Sequence, residues 1–243
     1  MQKKIPSLIL LTIAALFAGH STQAQAYYGF KAGYNQTWLQ TDVSNISFTK
    51  LRSGPGYSVE IPFRVDVTKK FYVESGLNFI NKSHSIVRTG AYTGSEIRYT
   101  NTYLQLPVKL GAHFKLNKLG FFINAGVGAS WWASGKVKGS SPNIFNFTST
   151  VSNNGQITDN FHLDNYSERY QFNAEKDNRF EFGWSAGAGL QFPLKKTRYV
   201  FAELNYYQSL TDQQKKYMAM QNPRYYKTYS VSIGYLIPLR ANR

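Results

Sequence analysis

The chain has 243 residues, no cysteine, 16% aromatic residues and a formal net charge of +15. No cysteine excludes a disulfide scaffold and a lipid-anchored cysteine. The basic balance fits anionic partners, and an exported chain meets lipid headgroups and lipopolysaccharide phosphates rather than nucleic acid.

The N-terminus reads as an export signal. Lys3 and Lys4 form a charged start, Ile5 to Ala18 is apolar apart from Pro6, Ser7 and Thr12, and Ala24-Gln25-Ala26 is a small-x-small cleavage site, with Thr22-Gln23-Ala24 as the alternative. The apolar run is shorter than the roughly 20 residues of a spanning helix. Removing residues 1–26 of the 243 leaves 217, the size of one β domain. With no later long apolar run, a membrane form must be a barrel.

Eight alternating segments follow. They cover about 27–39, 54–67, 70–83, 98–115, 119–136, 179–193, 197–210 and 225–239. Period-two alternation puts apolar side chains on one strand face and polar ones on the other. The second segment sends Tyr57, Val59, Ile61, Phe63 and Val65 one way, and Ser58, Glu60, Arg64 and Asp66 the other. The sixth alternates Phe180, Phe182, Trp184 and Ala186 with Glu181, Gly183, Ser185 and Gly187. Connections alternate too: near Thr68-Lys69, Asn117-Lys118 and Lys195-Lys196 they are short, and the others are long. The longest, 137–178, is rich in Asn, Ser, Thr and Gly and reads as an external loop. Short periplasmic turns, long external loops and an even strand count predict an eight-stranded antiparallel up-and-down transmembrane β-barrel over 27–243.

Parity assigns the faces. Lys31, Glu60, Arg64, Asp66, Glu74, Lys109, His113, Glu181 and Glu203 are expected in the lumen as a paired polar plug, with a narrow pore as the alternative. Trp38, Tyr57, Trp131, Trp184, Phe192, Tyr225 and Tyr235 are expected near the membrane interfaces. Lys69, Lys70, Lys115, Lys118, Lys195, Lys196 and Arg198, with Arg240 and Arg243, form a basic collar at the short turns. That collar would face headgroups or an anionic periplasmic partner.

Catalytic and metal motifs are weak. Gly183-Trp184-Ser185-Ala186-Gly187 matches a nucleophile elbow, but it lies inside an alternating strand and no His follows His162. The histidines, His20, His84, His113 and His162, lack metal-ligand spacing. His113 is expected inside, and His84 and His162 solvated in or near loops. No catalytic, metal or cofactor site is expected.

Gly29-Phe30-Lys31-Ala32-Gly33-Tyr34-Asn35, Glu74-Ser75-Gly76-Leu77-Asn78-Phe79, Tyr103-Leu104-Gln105-Leu106-Pro107-Val108-Lys109, Asn124-Ala125-Gly126-Val127-Gly128, Gly183 to Leu190 and Ser232-Ile233-Gly234-Tyr235 occur in an order that resembles the PorT-like outer-membrane β-barrel proteins of Bacteroidota. The 137–178 stretch has no counterpart among these motifs, and the chain ends Arg240-Ala241-Asn242-Arg243 without a terminal aromatic. The resemblance implies an outer-membrane barrel without catalytic residues. It also implies a structural or interaction role, with some members linked to gliding and type IX secretion. A small passive pore is the alternative. The implied partners are outer-membrane lipid, lipopolysaccharide and a cell-envelope protein.

Overall fold

The computed structural model describes residues 25–90, 93–116, 119–152, 154, 157–195, 198–218 and 220–239. The predicted signal lies outside this range, except that Gln25 and Ala26 already belong to the first strand. Nine strands form: β1 (Gln25–Gln40), β2 (Thr49–Asp66), β3 (Phe71–Arg88), β4 (Glu96–Leu116), β5 (Leu119–Val151), β6 (Ile157–Arg169), β7 (Phe180–Lys195), β8 (Arg198–Ser209) and β9 (Tyr225–Pro238).

Eight of them close a ring. The order runs β4-β3-β2-β1-β9-β8-β7-β5, and β4 pairs with β5 to complete it, all antiparallel. Stepping across paired residues from Tyr27 leads through Arg64, Glu74, Lys109, Gly126, Ser185, Tyr207 and Thr228 to Thr37, ten residues further along β1. For eight strands this stagger tilts the strands by about 40° and gives a backbone radius of about 8 Å. Ten is even, so the in–out alternation closes without conflict.

The alternation is the predicted one. Tyr57, Ile61, Phe63, Leu106, Leu110, Ile123, Val127, Val231 and Ile233 are exposed on the outer wall, while their chain neighbours are buried in the lumen. An apolar outer wall this large has only lipid to meet. The lumen is too narrow for side chains of equal size. On the short-turn side, Tyr72, Phe122 and Phe201 lie directly across from Gly111, Gly189 and Gly234. A Cβ at Gly111 would sit 2.1 Å from the Tyr72 ring, and one at Gly189 2.3 Å from Phe122. These glycines give the rings their space.

The ninth strand corrects the sequence reading. Most of the stretch 137–178 is paired strand and not irregular loop. β5 continues to Val151 and β6 returns along it, pairing from Lys136↔Arg169 to Val151↔Ile157. β2, β3 and β4 also overrun the barrel, so Thr49↔Arg88, Val87↔Glu96 and Glu96↔Ser140 are paired. A five-stranded wall therefore rises from one side of the long-loop end. Its polar residues lie on both faces, which hides the alternation that marks the membrane strands.

Candidate functional site

The lumen is built in layers. At the short-turn end Tyr27, Tyr72, Phe122, Phe201 and Leu236 pack together. At the long-loop end Leu39, Ile80, Tyr103, Trp132 and Tyr226 form a second apolar cluster. Between them lies a chain of alternating charge. Arg64 donates from Nη2 to Glu74 at 2.7 Å, Lys109 lies 3.8 Å from Glu74 and 3.3 Å from Glu203, and Lys31 contacts Glu203 at 3.1 Å and Glu60 at 2.5 Å. Asn124 donates its amide to Glu203 at 2.9 Å. Buried charges without such partners would be costly.

All nine predicted lumen residues point inward. Glu181 stands apart from the main chain and pairs with Lys82, while His113 meets Asp66 at 3.3 Å beside the short turns. Lys82 is missing from the sequence reading, although it shares the parity of Glu74. Its ammonium lies 4.4 Å from the Tyr207 ring centre and 4.6 Å from that of Tyr103, and Tyr207 donates to Glu181 at 2.9 Å. Lys82 completes the balance. The buried Lys and Arg side chains of the described lumen are Lys31, Arg64, Lys82 and Lys109, and the buried glutamates are Glu60, Glu74, Glu181 and Glu203.

His84 is a second correction. It is buried, not solvated, because β3 runs on to Arg88. Its ring stacks on Tyr99 at 5.1 Å, and its Nδ1 is 3.4 Å from the Tyr226 hydroxyl. His162 is exposed as expected. Ser185 lies in the middle of β7, buried and paired with Gly126 and Tyr207, without the turn that a nucleophile elbow needs.

The space left inside is small. The mid-lumen cavity beside Lys31, Glu60, Lys109, Glu203 and Ser185 measures about 30 Å3, room for one or two waters. A vestibule of about 210 Å3 opens at the short-turn end beside Arg64, Asp66, His113 and Lys115. The opposite mouth is covered. Trp132 stacks on Tyr170 at 5.0 Å and meets Phe172 edge-on at 4.9 Å. Buried Asp177 latches this flap by accepting from the Tyr170 hydroxyl at 2.8 Å and the Asn173 amide at 2.7 Å. Burial, then the Asp177 carboxylate, raises the Tyr170 pKa and keeps that hydroxyl a donor. The flap is also tied to the β8–β9 connection, because the Asn178 amide donates to the Gln213 carbonyl at 2.9 Å.

The outer surface carries the other predicted groups. Trp38, Tyr57, Trp131, Trp184 and Phe192 are exposed on the outer wall, and Tyr225 and Tyr235 are half-exposed. Trp38, Tyr229, Tyr206 and Trp184 form a continuous belt at the long-loop end, with ring spacings of 5.4, 4.9 and 5.3 Å. In the basic collar Lys69, Lys70, Lys115 and Arg198 are exposed. Lys118, Lys196, Arg240 and Arg243 lie outside the described residues, as does the side chain of Lys195.

Similar solved structures are outer-membrane proteins. The Yersinia pestis attachment invasion locus protein Ail, solved with the heparin analogue sucrose octasulfate, is 17% identical and has a TM-score of 0.39, covering 88% of this chain and 99% of that one. Neisserial surface protein A is 8% identical with a TM-score of 0.42, covering 87% and 97%. OprG of Pseudomonas aeruginosa is 11% identical with a TM-score of 0.39, covering 90% and 98%. No curated protein is a significant match. The family model for the outer membrane protein beta-barrel domain matches residues 21–214, so the chain belongs to that family and its place is the bacterial outer membrane.

Proposed function

We propose that this protein is a sealed, non-enzymatic barrel of the PorT-like kind found in Bacteroidota. It acts as a structural or interaction component of the cell envelope, with a link to protein secretion or gliding machinery. The observation that carries the sealed reading is the charge-balanced lumen held between two apolar clusters. A solute crossing it would have to break the Lys31–Glu203–Lys109 contacts and lift the Asp177-latched flap. The PorT-like assignment rests on the order of the strand motifs. The short turns face the periplasm and the wall of long strands faces outward, following the general rule for such barrels.

With the lumen closed, interaction falls to the two ends: the basic short turns inside, and the outer wall with its tip residues Phe145, Phe147 and Val151. Planar-bilayer recordings test the sealed reading. The expected result is no steady conductance. A reproducible channel whose conductance shifts on Glu60→Gln or Lys109→Gln would replace it with the passive pore. Affinity capture from native outer membranes tests the envelope role, with co-purification of secretion or gliding components as the expected result. Ester hydrolysis abolished by Ser185→Ala would overturn the non-enzymatic reading.

A further inference from the structure

The strand register gathers charge on one face of the external wall. Arg52 pairs with Ser85, Ser85 with Arg98, Arg98 with Lys138 and Lys138 with Ser167. Directly paired residues point to the same side of a sheet. The flanking rows add Lys50 on one side, and Lys136 with Arg169 on the other, to this same face. Six cations therefore share one surface, and all six are exposed. Within these paired rows Glu96 is the one carboxylate among the described residues, 3.2 Å from Arg98. Lys50, Lys136, Lys138 and Arg169 have no ion pair to a described residue, and Arg52 acts on the same Glu96 carboxylate as Arg98. Two acids of β6, Asp164 and Glu168, fall on the opposite face, paired with Ser141 and Val137.

This face continues the lipid-facing wall. Along β4 the outward residues run Leu106, Leu104, Thr102, Thr100 and Arg98. Leu104 pairs with the interfacial Trp131, and Arg98 lies six residues beyond it. At the rise and tilt of these strands the cations stand about 10–15 Å above the Trp131 level. A phospholipid headgroup layer is only about 5–7 Å thick on each side. The level reached is that of the sugar-phosphate layer on lipopolysaccharide. The face is also hollowed: an open depression of about 460 Å3 is lined by Arg98, Lys136, Lys138, Ser140, Asn165 and Ser167, with Glu96 at its side against Arg98. Three cations against one carboxylate leave a net positive charge among hydroxyl and amide groups, which suits a phosphorylated sugar.

We infer that this depression is a binding site for the phosphorylated core sugars of lipopolysaccharide, clamping the external wall onto the outer leaflet. The site depends on the proposed reading only for which end faces outward, not on a sealed lumen.

The test uses the full barrel in zwitterionic micelles, titrated with rough lipopolysaccharide carrying a phosphorylated core, the same material dephosphorylated, or phosphatidylglycerol. Two triple variants are compared: R98Q/K136Q/K138Q at the site, and K69Q/K70Q/R198Q at the short turns. Folding is checked by heat-dependent gel mobility. Each removed charge is expected to weaken binding of the phosphorylated form about fivefold, so the site variant loses on the order of 100-fold and the other triple variant little. K136R/K138R should bind as the parent does. Dephosphorylated lipopolysaccharide or phosphatidylglycerol binding as tightly to the unmodified protein overturns the inference without any variant. Loss confined to K69Q/K70Q/R198Q overturns it together with the proposed orientation. A steady conductance would remove the sealed reading and leave this site untouched.

Discussion

The lumen and the outer face of the external wall are both rich in lysine and arginine, yet they treat these residues in opposite ways. Inside, four buried cations meet four buried glutamates, with every member within 4 Å of an opposite charge. Outside, the paired rows that carry six cations hold one carboxylate among the described residues. The difference follows from solvation. A charge in a dry lumen must be matched, because transfer from water costs several kcal/mol per ion. A charge in water has no such requirement, and an exposed ion pair contributes little. The excess of +15 therefore does not come from the buried lumen groups, which cancel. The six exposed cations of the external wall contribute to it, and there they can meet an external anion.

The strongest way to break this comparison is to unbalance the lumen. Glu203→Gln leaves Lys109 with only Glu74, at 3.8 Å, and Lys31 with only Glu60. Equilibrium unfolding in urea with lipid vesicles should show a loss of about 3–5 kcal/mol. Lys82→Met and Glu181→Gln singly should each cost a similar amount, while the double variant costs less than either. Removing both partners leaves no stranded charge. If Glu203→Gln costs under about 1 kcal/mol, water reaches the lumen freely and the contrast between the two regions disappears.

A smaller effect is expected from the lumen glycines. Gly189→Ala puts a methyl group against the Phe122 ring and the Ala202 carbonyl, the latter at 2.2 Å from the new Cβ. Backbone cannot retreat from a closed ring, so a cost of about 1–3 kcal/mol is expected in the same unfolding measurement. An unchanged midpoint would show that the short-turn cluster is loosely packed. The flap offers a local counterpart. Asp177→Ala removes the acceptor for Tyr170 and the Asn173 amide. Hydrogen exchange should accelerate over residues 170–178, corresponding to about 1–3 kcal/mol, while the strands stay protected.

Legibility divides along the same line. The membrane strands announce themselves because lipid on one side and a polar lumen on the other force strict alternation, and each predicted lumen charge follows from its parity. Lys82 obeys that parity too, eight residues beyond Glu74 on β3. What the sequence does not declare is which lysine partners which glutamate, since that depends on ring stagger across several strands. The external wall is hidden in the sequence for another reason. With water on both sides, Ser140, Asn143, Asn165 and Ser167 need not alternate with apolar residues, so strand and loop look alike. The burial of His84 is hidden for the same reason, because the extension of β3 through Ser85 and Ile86 is what buries it. The basic face emerges only from cross-strand register, as its six cations come from four strands.

The mildest test concerns the far end of that wall. β4 pairs with β5 no further than Ser140, so beyond it the backbone of β5 is paired with β6 alone among the described residues. Ser141 and Asp164 face each other across this hairpin. Replacing residues 142–163 by Asn-Gly would close it with a two-residue turn suited to the strand twist. The change removes exposed Phe145, Phe147 and Val151 but leaves Arg98, Lys136 and Lys138 on their paired strands. Barrel stability should stay within about 0.5 kcal/mol, since no closed-ring contact is lost. Lipopolysaccharide binding should persist, and a co-purifying protein that grips the tip should be lost. If stability falls well beyond that margin, the hairpin tip braces the barrel, and the wall and the lumen are parts of one cooperative unit.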